Sequence, residues 1–353
     1  MSDSAGDVTE GGGSPRAKRN EPPDAKRAVR WYSLCFRRAV DRRTSQHRAD
    51  VATLAALVAL VGAAALMQRL LSPVSGSGGL LVLGAAMALV PALLWLAFFH
   101  HHDRREPEPA DRVVEMAVLG ALVAAALGMP VLDRWVHVNS WLYASPMVHL
   151  AGAVLVVGCV EETLKYAALR FSVYGSSEFD ELADGMVYGS AVGLGYATAQ
   201  NLALVLQAGV GDLALLAARF ALTSLAHAAF TCVTGYFLAR QKLHRRPIWW
   251  MAAGVGTAAA LNGTFDVLRA ALLRGAASSA GGGARPWASL GLAALLVVCV
   301  TLTLSWAIDR SVGTVRAPQE RQSLEIILRL PESRRSSPPD LSRVHVKSQS
   351  GRL

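Results

Sequence analysis

Three polar stretches interrupt otherwise apolar sequence, and their residue types are those that move protons. The first is Val160-Glu-Glu-Thr-Leu-Lys-Tyr166. On a helix Glu161 and Lys165 are four apart and Glu162 and Lys165 three apart, so all three side chains share one side. Adjacent carboxylates in a low dielectric repel each other, which favours a shared or held proton, the setting of a general base that activates water near neutral pH. The second stretch, Leu225-Ala-His-Ala-Ala-Phe230, places His227 among small residues. The third, Leu261-Asn-Gly-Thr-Phe-Asp266, puts Asn262 and Asp266 four apart on one face. A buried Asp requires a partner, and Lys165 or His227 is expected to supply it. Asp184, Gln200 and Asn201 add polar groups to a segment between these stretches. Each member also has a plain structural reading: a Glu–Lys pair tying helices together, a hydrogen-bonded packing histidine, amides joining neighbouring helices. Together they read as a constellation.

The elements that must position them are membrane helices. Of 353 residues, 52% are hydrophobic and only 17% charged, against about a quarter charged in a soluble domain. The apolar residues gather in runs of roughly twenty, enough to cross a hydrocarbon core of about 30 Å. Soluble dinucleotide-binding, sandwich and collagen-like folds are excluded on this balance. The expected fold is all-α, a polytopic helical bundle of about eight spans: 51–71, 80–99, 112–132, 147–170, 184–207, 213–239, 248–272 and 287–308. Helices are required because backbone groups in lipid must bond within their own segment. Residues 1–48 and 311–353 are Pro-, Ser- and Arg-rich tails without apolar periodicity, expected to be disordered. The transmembrane domain is expected over 49–310.

The net charge is +9, concentrated in the tails and in even-numbered loops. Arg37, Arg38, Arg42, Arg43 and Arg48 precede the first span, Arg104, Arg105 and Arg112 follow the second, and Arg240, Lys242, Arg245 and Arg246 follow the sixth. Such asymmetry places both termini in the cytoplasm. It also gives basic segments that an anionic inner leaflet would attract. A nucleic-acid partner is not expected. Cys35, Cys159, Cys232 and Cys299 are too scattered for a CxxC metal site or a disulfide framework. His100, His101 and His102, at a span boundary, read as a juxtamembrane cluster.

Depth joins the polar stretches. At 1.5 Å per residue, His227 lies roughly 20 Å from Arg240, Asn262 roughly 24 Å from Arg246, and Glu162 roughly 12 Å from Arg170. All can share one layer near the midplane, on the fourth, sixth and seventh spans. Gly185, Gly189 and Gly193 recur every four residues along the fifth span, a face that lets another helix approach closely.

With Glu161-Glu162-x-x-Lys165, Asp180-Glu181-x-x-Asp184-Gly185-x-x-Tyr188-Gly189, His227 and the following Gly235-Tyr236, the chain resembles the PrsW-type intramembrane proteases. The cytoplasmic elbow Asp103-Arg-Arg-Glu-Pro-Glu-Pro109 adds to the likeness, which spans roughly residues 95–270. The resemblance implies a bacterial cytoplasmic-membrane protease, related to the prenyl-protein (CAAX) proteases, that cleaves membrane-anchored proteins such as anti-sigma factors. It implies a catalytic core of Glu161, Glu162 and His227. Two positions depart from the family pattern: Gln200 stands where Glu is usual, and Asn262 where His is usual.

The chemistry expected is hydrolysis by glutamate-activated water. Glu161 or Glu162 would take the proton, His227 and Asn262 would donate to the oxyanion, Lys165 would balance the glutamate pair, and the glycine-lined fifth span would leave room for substrate. Asp184, Gln200, Asn201 and Asp266 are supporting residues. No cofactor is expected. The alternative is a divalent metal such as zinc on Glu161, Glu162, His227 and Asp266, although zinc sites usually rely on more His and Cys than one imidazole. Two other classes remain open: a catalytically impaired relative that binds membrane proteins, and a proton-relay transporter, for which no paired repeat of the chain halves is evident.

Overall fold

A computed structural model describes residues 51–67, 69, 77–102, 108–208, 213–277, 291, 294, 295 and 297–300. The two tails, most of the eighth expected span, and residues 103–107 of the elbow lie outside the described residues, as do the side chains of His101 and His102.

The described chain is helical, with no strand among the described residues. Helix α1 is Val51–Met67 and α2 is Ser77–His102. Helix α3 runs Ala110–Trp135 and α4 Pro146–Ser172. Helices α5, α6 and α7 are Leu182–Ala208, Leu213–His244 and Trp249–Ala277. Four of these, α2, α3, α4 and α6, are long and apolar enough to cross a bilayer. The expected count of about eight is not reached by that measure. Helices α5 and α7 have the length, but Gly, Gln, Asn and Asp dilute their apolar character.

Local chemistry sets the boundaries. Ser145 caps α4 by accepting a hydrogen bond from the Val148 N–H, and Pro146 follows at the first helical position, where its missing N–H costs nothing. Asp184 accepts the backbone N–H groups of Asp180 and Glu181 at the start of α5. Helix α6 outruns the expected end at 239 because Arg240–His244 continues it with mostly polar residues, including Lys242 and His244 in the last turn. Basic groups suit a helix C-terminus. Arg245 then turns the chain with a positive φ of 47°.

Neither α3 nor α4 is α-helical throughout. Wider π-turns occupy Ala124–Gly128 and Val131–Trp135 in α3, and Ala153–Gly158 in α4, directly before the glutamate pair.

Large apolar side chains such as Val58, Val82, Leu155, Leu206 and Phe171 point outward, Phe171 being 88% exposed. Glu161, Glu162, Lys165, His227 and Asn262 are buried. Apolar outside and ionisable inside is the distribution that lipid solvent selects. This is an integral membrane protein.

Close helix approach organises the interior. The Gly185–Gly189–Gly193 face of α5 lies against α6 at Gly235, Thr231 and His227, so near that a Cβ at Gly235 would run into the Gly185 carbonyl oxygen. The room expected for substrate along this stripe is filled by α6 instead. On the opposite side α5 meets α3, with Gly195 against Ala117. Helix α4 meets α7 where Gly158 faces the Ala259 carbonyl and Gly263 faces Val154.

Gly235→Val is therefore expected to destabilise the bundle by at least the ~1–3 kcal/mol typical of overpacking, read as a lower thermal midpoint in detergent. Gly256→Ala, on an exposed part of α7 with nothing within 4 Å of the added Cβ, is expected to be neutral or to stabilise by up to ~1 kcal/mol through helix propensity.

Candidate active site

The centre of the site is a buried ammonium. Lys165 on α4 donates to Glu162 Oε1 at 2.7 Å and meets His227 Nδ1 of α6 at 2.8 Å. With Lys165 as the ammonium partner of Glu162, which can only donate, Nδ1 is assigned as the acceptor and the imidazole proton to Nε2. Glu161 Oε2 lies 3.9 Å from Lys165 Nζ and 4.0 Å from His227 Nδ1. The Tyr196 ring of α5 sits beside this group, its centroid 4.5 Å from Nζ. It stacks on the His227 ring at 5.9 Å, with planes 23° apart.

Two carboxamides complete the arrangement. Asn262 Nδ2, from α7, donates to Glu161 Oε2 at 2.8 Å and to Glu162 Oε1 at 3.1 Å. Gln200 Nε2, from α5, donates to Glu161 Oε1 at 2.6 Å. Both Glu161 oxygens are thus engaged. Glu162 differs: Oε1 takes Lys165 and Asn262, while Oε2 is buried without a hydrogen-bond partner. A carboxylate oxygen left in that state is costly and marks the place where a donor such as water would bind.

Side chains from α4, α5, α6 and α7 meet here. The Asn262 amide is directed at the glutamate pair. Its two amide protons are already spent on the glutamates, leaving none for an oxyanion unless one of those bonds breaks.

Three other expected residues lie apart. Asp266 pairs neither with Lys165 nor with His227; it accepts from Arg269 at 2.6 Å and meets His149 Nε2 at 3.2 Å. The i, i+3 spacing on α7 gives Arg269 the shorter reach, and His149 comes from the far end of α4. Asp184 is sixteen residues, or roughly 24 Å, along α5 from Gln200. It belongs to the α5 entrance, where Tyr188 donates to buried Glu108. Asn201 turns to Ser224 Oγ of α6 at 3.5 Å.

Tyr196 is absent from the residues expected on sequence, although its position four residues before Gln200 puts it on the same helical face. His149 is absent as well. The sequence near it carries no pattern that separates it from a loop histidine.

The donor chemistry bears on a metal. Two carboxylates and one imidazole adjoin, but the Lys165 ammonium occupies the position among them, and Asp266 is held elsewhere. Among the described residues no group of three His, Cys, Asp or Glu side chains is arranged to hold a metal ion.

Comparison with known proteins bears on the same region. The family model described as PrsW family intramembrane metalloprotease matches residues 108–304. Protease PrsW of Geobacillus kaustophilus is 32% identical over 154 residues, 44% of this chain and 64% of the relative. Protease PrsW of Oceanobacillus iheyensis is 31% identical over 164 residues, 46% of this chain and 70% of the relative. For Protease PrsW of Bacillus subtilis the identity is 27% over 191 residues, 52% of this chain and 81% of the relative. No solved structure matches the chain. The match contains every helix that contributes to the buried Lys165 cluster, and it extends over more than half of the sequence: the chain belongs to the PrsW family of intramembrane proteases.

Proposed function

We propose that this protein hydrolyses peptide bonds of membrane-anchored proteins, with Glu162 as the base that activates water. The observation that carries the reading is the unpartnered Glu162 Oε2, buried beside an imidazole and an ammonium. A water bound there gives its proton to Glu162 as its oxygen attacks the scissile carbonyl carbon. His227, with its proton on Nε2, donates to the oxyanion that forms. Collapse breaks the C–N bond, and the proton held by Glu162 passes to the departing amine.

The other members position this pair. Lys165 fixes Glu162 Oε1 and the imidazole in one geometry, while Asn262 and Gln200 hold Glu161. Gln200 in place of the usual Glu supplies a donor to Glu161, which a second ionised carboxylate could not do. The substrate segment must unwind locally to present its carbonyl, since a helix hides it.

The donor set does not fit a metal ion, because Lys165 fills the space that a cation would take, and the water is activated by Glu162 alone. The protein's substrates are of anti-sigma-factor type, and it resides in the bacterial inner membrane with both termini cytoplasmic. The positive charge flanking the spans supports that orientation. A bundle of about eight crossings is the topology it assumes.

Cleavage of a pool of single-span membrane peptides by the purified protein, with products read by mass spectrometry, tests the activity. Glu162→Gln is expected to lower turnover by about 10²–10⁴-fold, the range for loss of a general base, and His227→Ala is expected to impair it too. Glu161→Gln should cost less turnover, with a lower thermal midpoint from its disturbed amide contacts. Wild-type binding without cleavage would instead assign the chain to non-catalytic relatives. Turnover is also expected to survive 1,10-phenanthroline; loss of activity that zinc restores would overturn the metal-free step.

A further inference from the structure

We propose that Tyr196 is a further catalytic residue, whose phenolic hydroxyl donates a hydrogen bond to the oxyanion formed at the scissile carbonyl. The proposal rests on the hydrolytic reading above and deepens it.

The need for a donor follows from the amides. Asn262 directs both of its N–H groups at Glu161 and Glu162, and Gln200 is tied to Glu161. The imidazole Nε2–H alone would face a charge that oxyanion sites usually meet with more than one donor.

Tyr196 is built into the cluster and yet unspent. The residue is completely buried, its ring rests beside the Lys165 ammonium and on the His227 imidazole, and its hydroxyl has no hydrogen-bond partner. Buried hydroxyls ordinarily find one. A hydroxyl that no protein group engages is available to an acceptor that arrives later. The reaction brings such an acceptor, since the carbonyl oxygen gains the electron pair of its π bond when the water oxygen bonds to carbon.

The surroundings keep the hydroxyl in place. It lies against Gly128 in the α3 π-turn, where a Cβ would collide with the phenolic oxygen. Absence of a side chain at residue 128 is therefore a condition for the Tyr196 rotamer. Between α3 and α4, the two helices that flank this ring, lies a groove of about 340 Å³. Leu119, Val123 and Leu127 line it on one side, and Leu164 and Phe171 on the other. Its apolar walls suit an unwound membrane segment approaching from lipid.

Tyr196→Phe retains the ring and removes only the donor. Kinetics on a single-span membrane peptide that the wild type cleaves provide the test, with binding of the same peptide measured in the Glu162→Gln background. The expected result is a fall in kcat of about 100-fold or more, the usual effect of losing one oxyanion donor, with KM within about twofold and binding in the Glu162→Gln background unchanged. Wild-type kcat in Tyr196→Phe, with Glu162→Gln inactive, would overturn the role of Tyr196 and leave the hydrolytic reading standing. A Tyr196→Phe loss that appears equally in peptide binding would assign the hydroxyl to ground-state contacts and overturn it as well. Failure of the wild type to cleave any peptide in the pool, or full activity of Glu162→Gln, would overturn both.

Discussion

The interior of this bundle depends on one cation. Burying a lysine ammonium is expensive, and only close, well-directed acceptors offset the loss of water. Lys165 finds them in Glu162 Oε1 and His227 Nδ1, with the Tyr196 ring beside it. Two carboxylates still outnumber one ammonium, and the amides of Asn262 and Gln200 stabilise the excess by donating without adding charge. Four helices thereby contribute to one electrostatic unit, in which loss of any member leaves another polar group buried without compensation. The same unit leaves a single carboxylate oxygen and a single hydroxyl unmatched, so its incompleteness is as specific as its pairing.

Much of this is legible in the sequence. Helical spacing alone places Glu161, Glu162 and Lys165 on one side of a helix, and counting from the basic loop ends puts His227 and Asn262 at their depth. Helix type follows from hydropathy and from the need to bond the backbone in lipid. Partner choice is less legible. Asp266 is expected to seek Lys165 or His227, but an arginine one turn along α7 and a histidine far along α4 reach it first. The glycine stripe signals close approach correctly; which object approaches depends on the small residues of α6. The i, i−4 relation of Tyr196 to Gln200 is visible in the sequence, yet an aromatic on a membrane helix usually reads as packing.

Length and apolar character part company in two of the long helices. Helices α5 and α7, diluted by glycines, amides and aspartates, fall short of the apolar character by which a crossing is recognised. Helices α2, α3, α4 and α6 keep it. Site residues alone do not cost a helix its apolar character, since α4 carries Glu161, Glu162 and Lys165 and still meets the measure.

The π-turn at Ala153–Gly158 has a consequence for how α4 addresses α7. His149 and Glu161 both reach that helix, at Asp266 and Asn262, though twelve residues separate them. At 3.6 residues per turn, twelve residues end roughly 120° out of phase, which would send the two side chains toward different neighbours. A π-bulge absorbs about one extra residue, and the remaining eleven end only roughly 20° from the starting azimuth. One widened turn thus acts as a phase corrector, aligning two polar tiers of α4 that a uniform helix would have set apart.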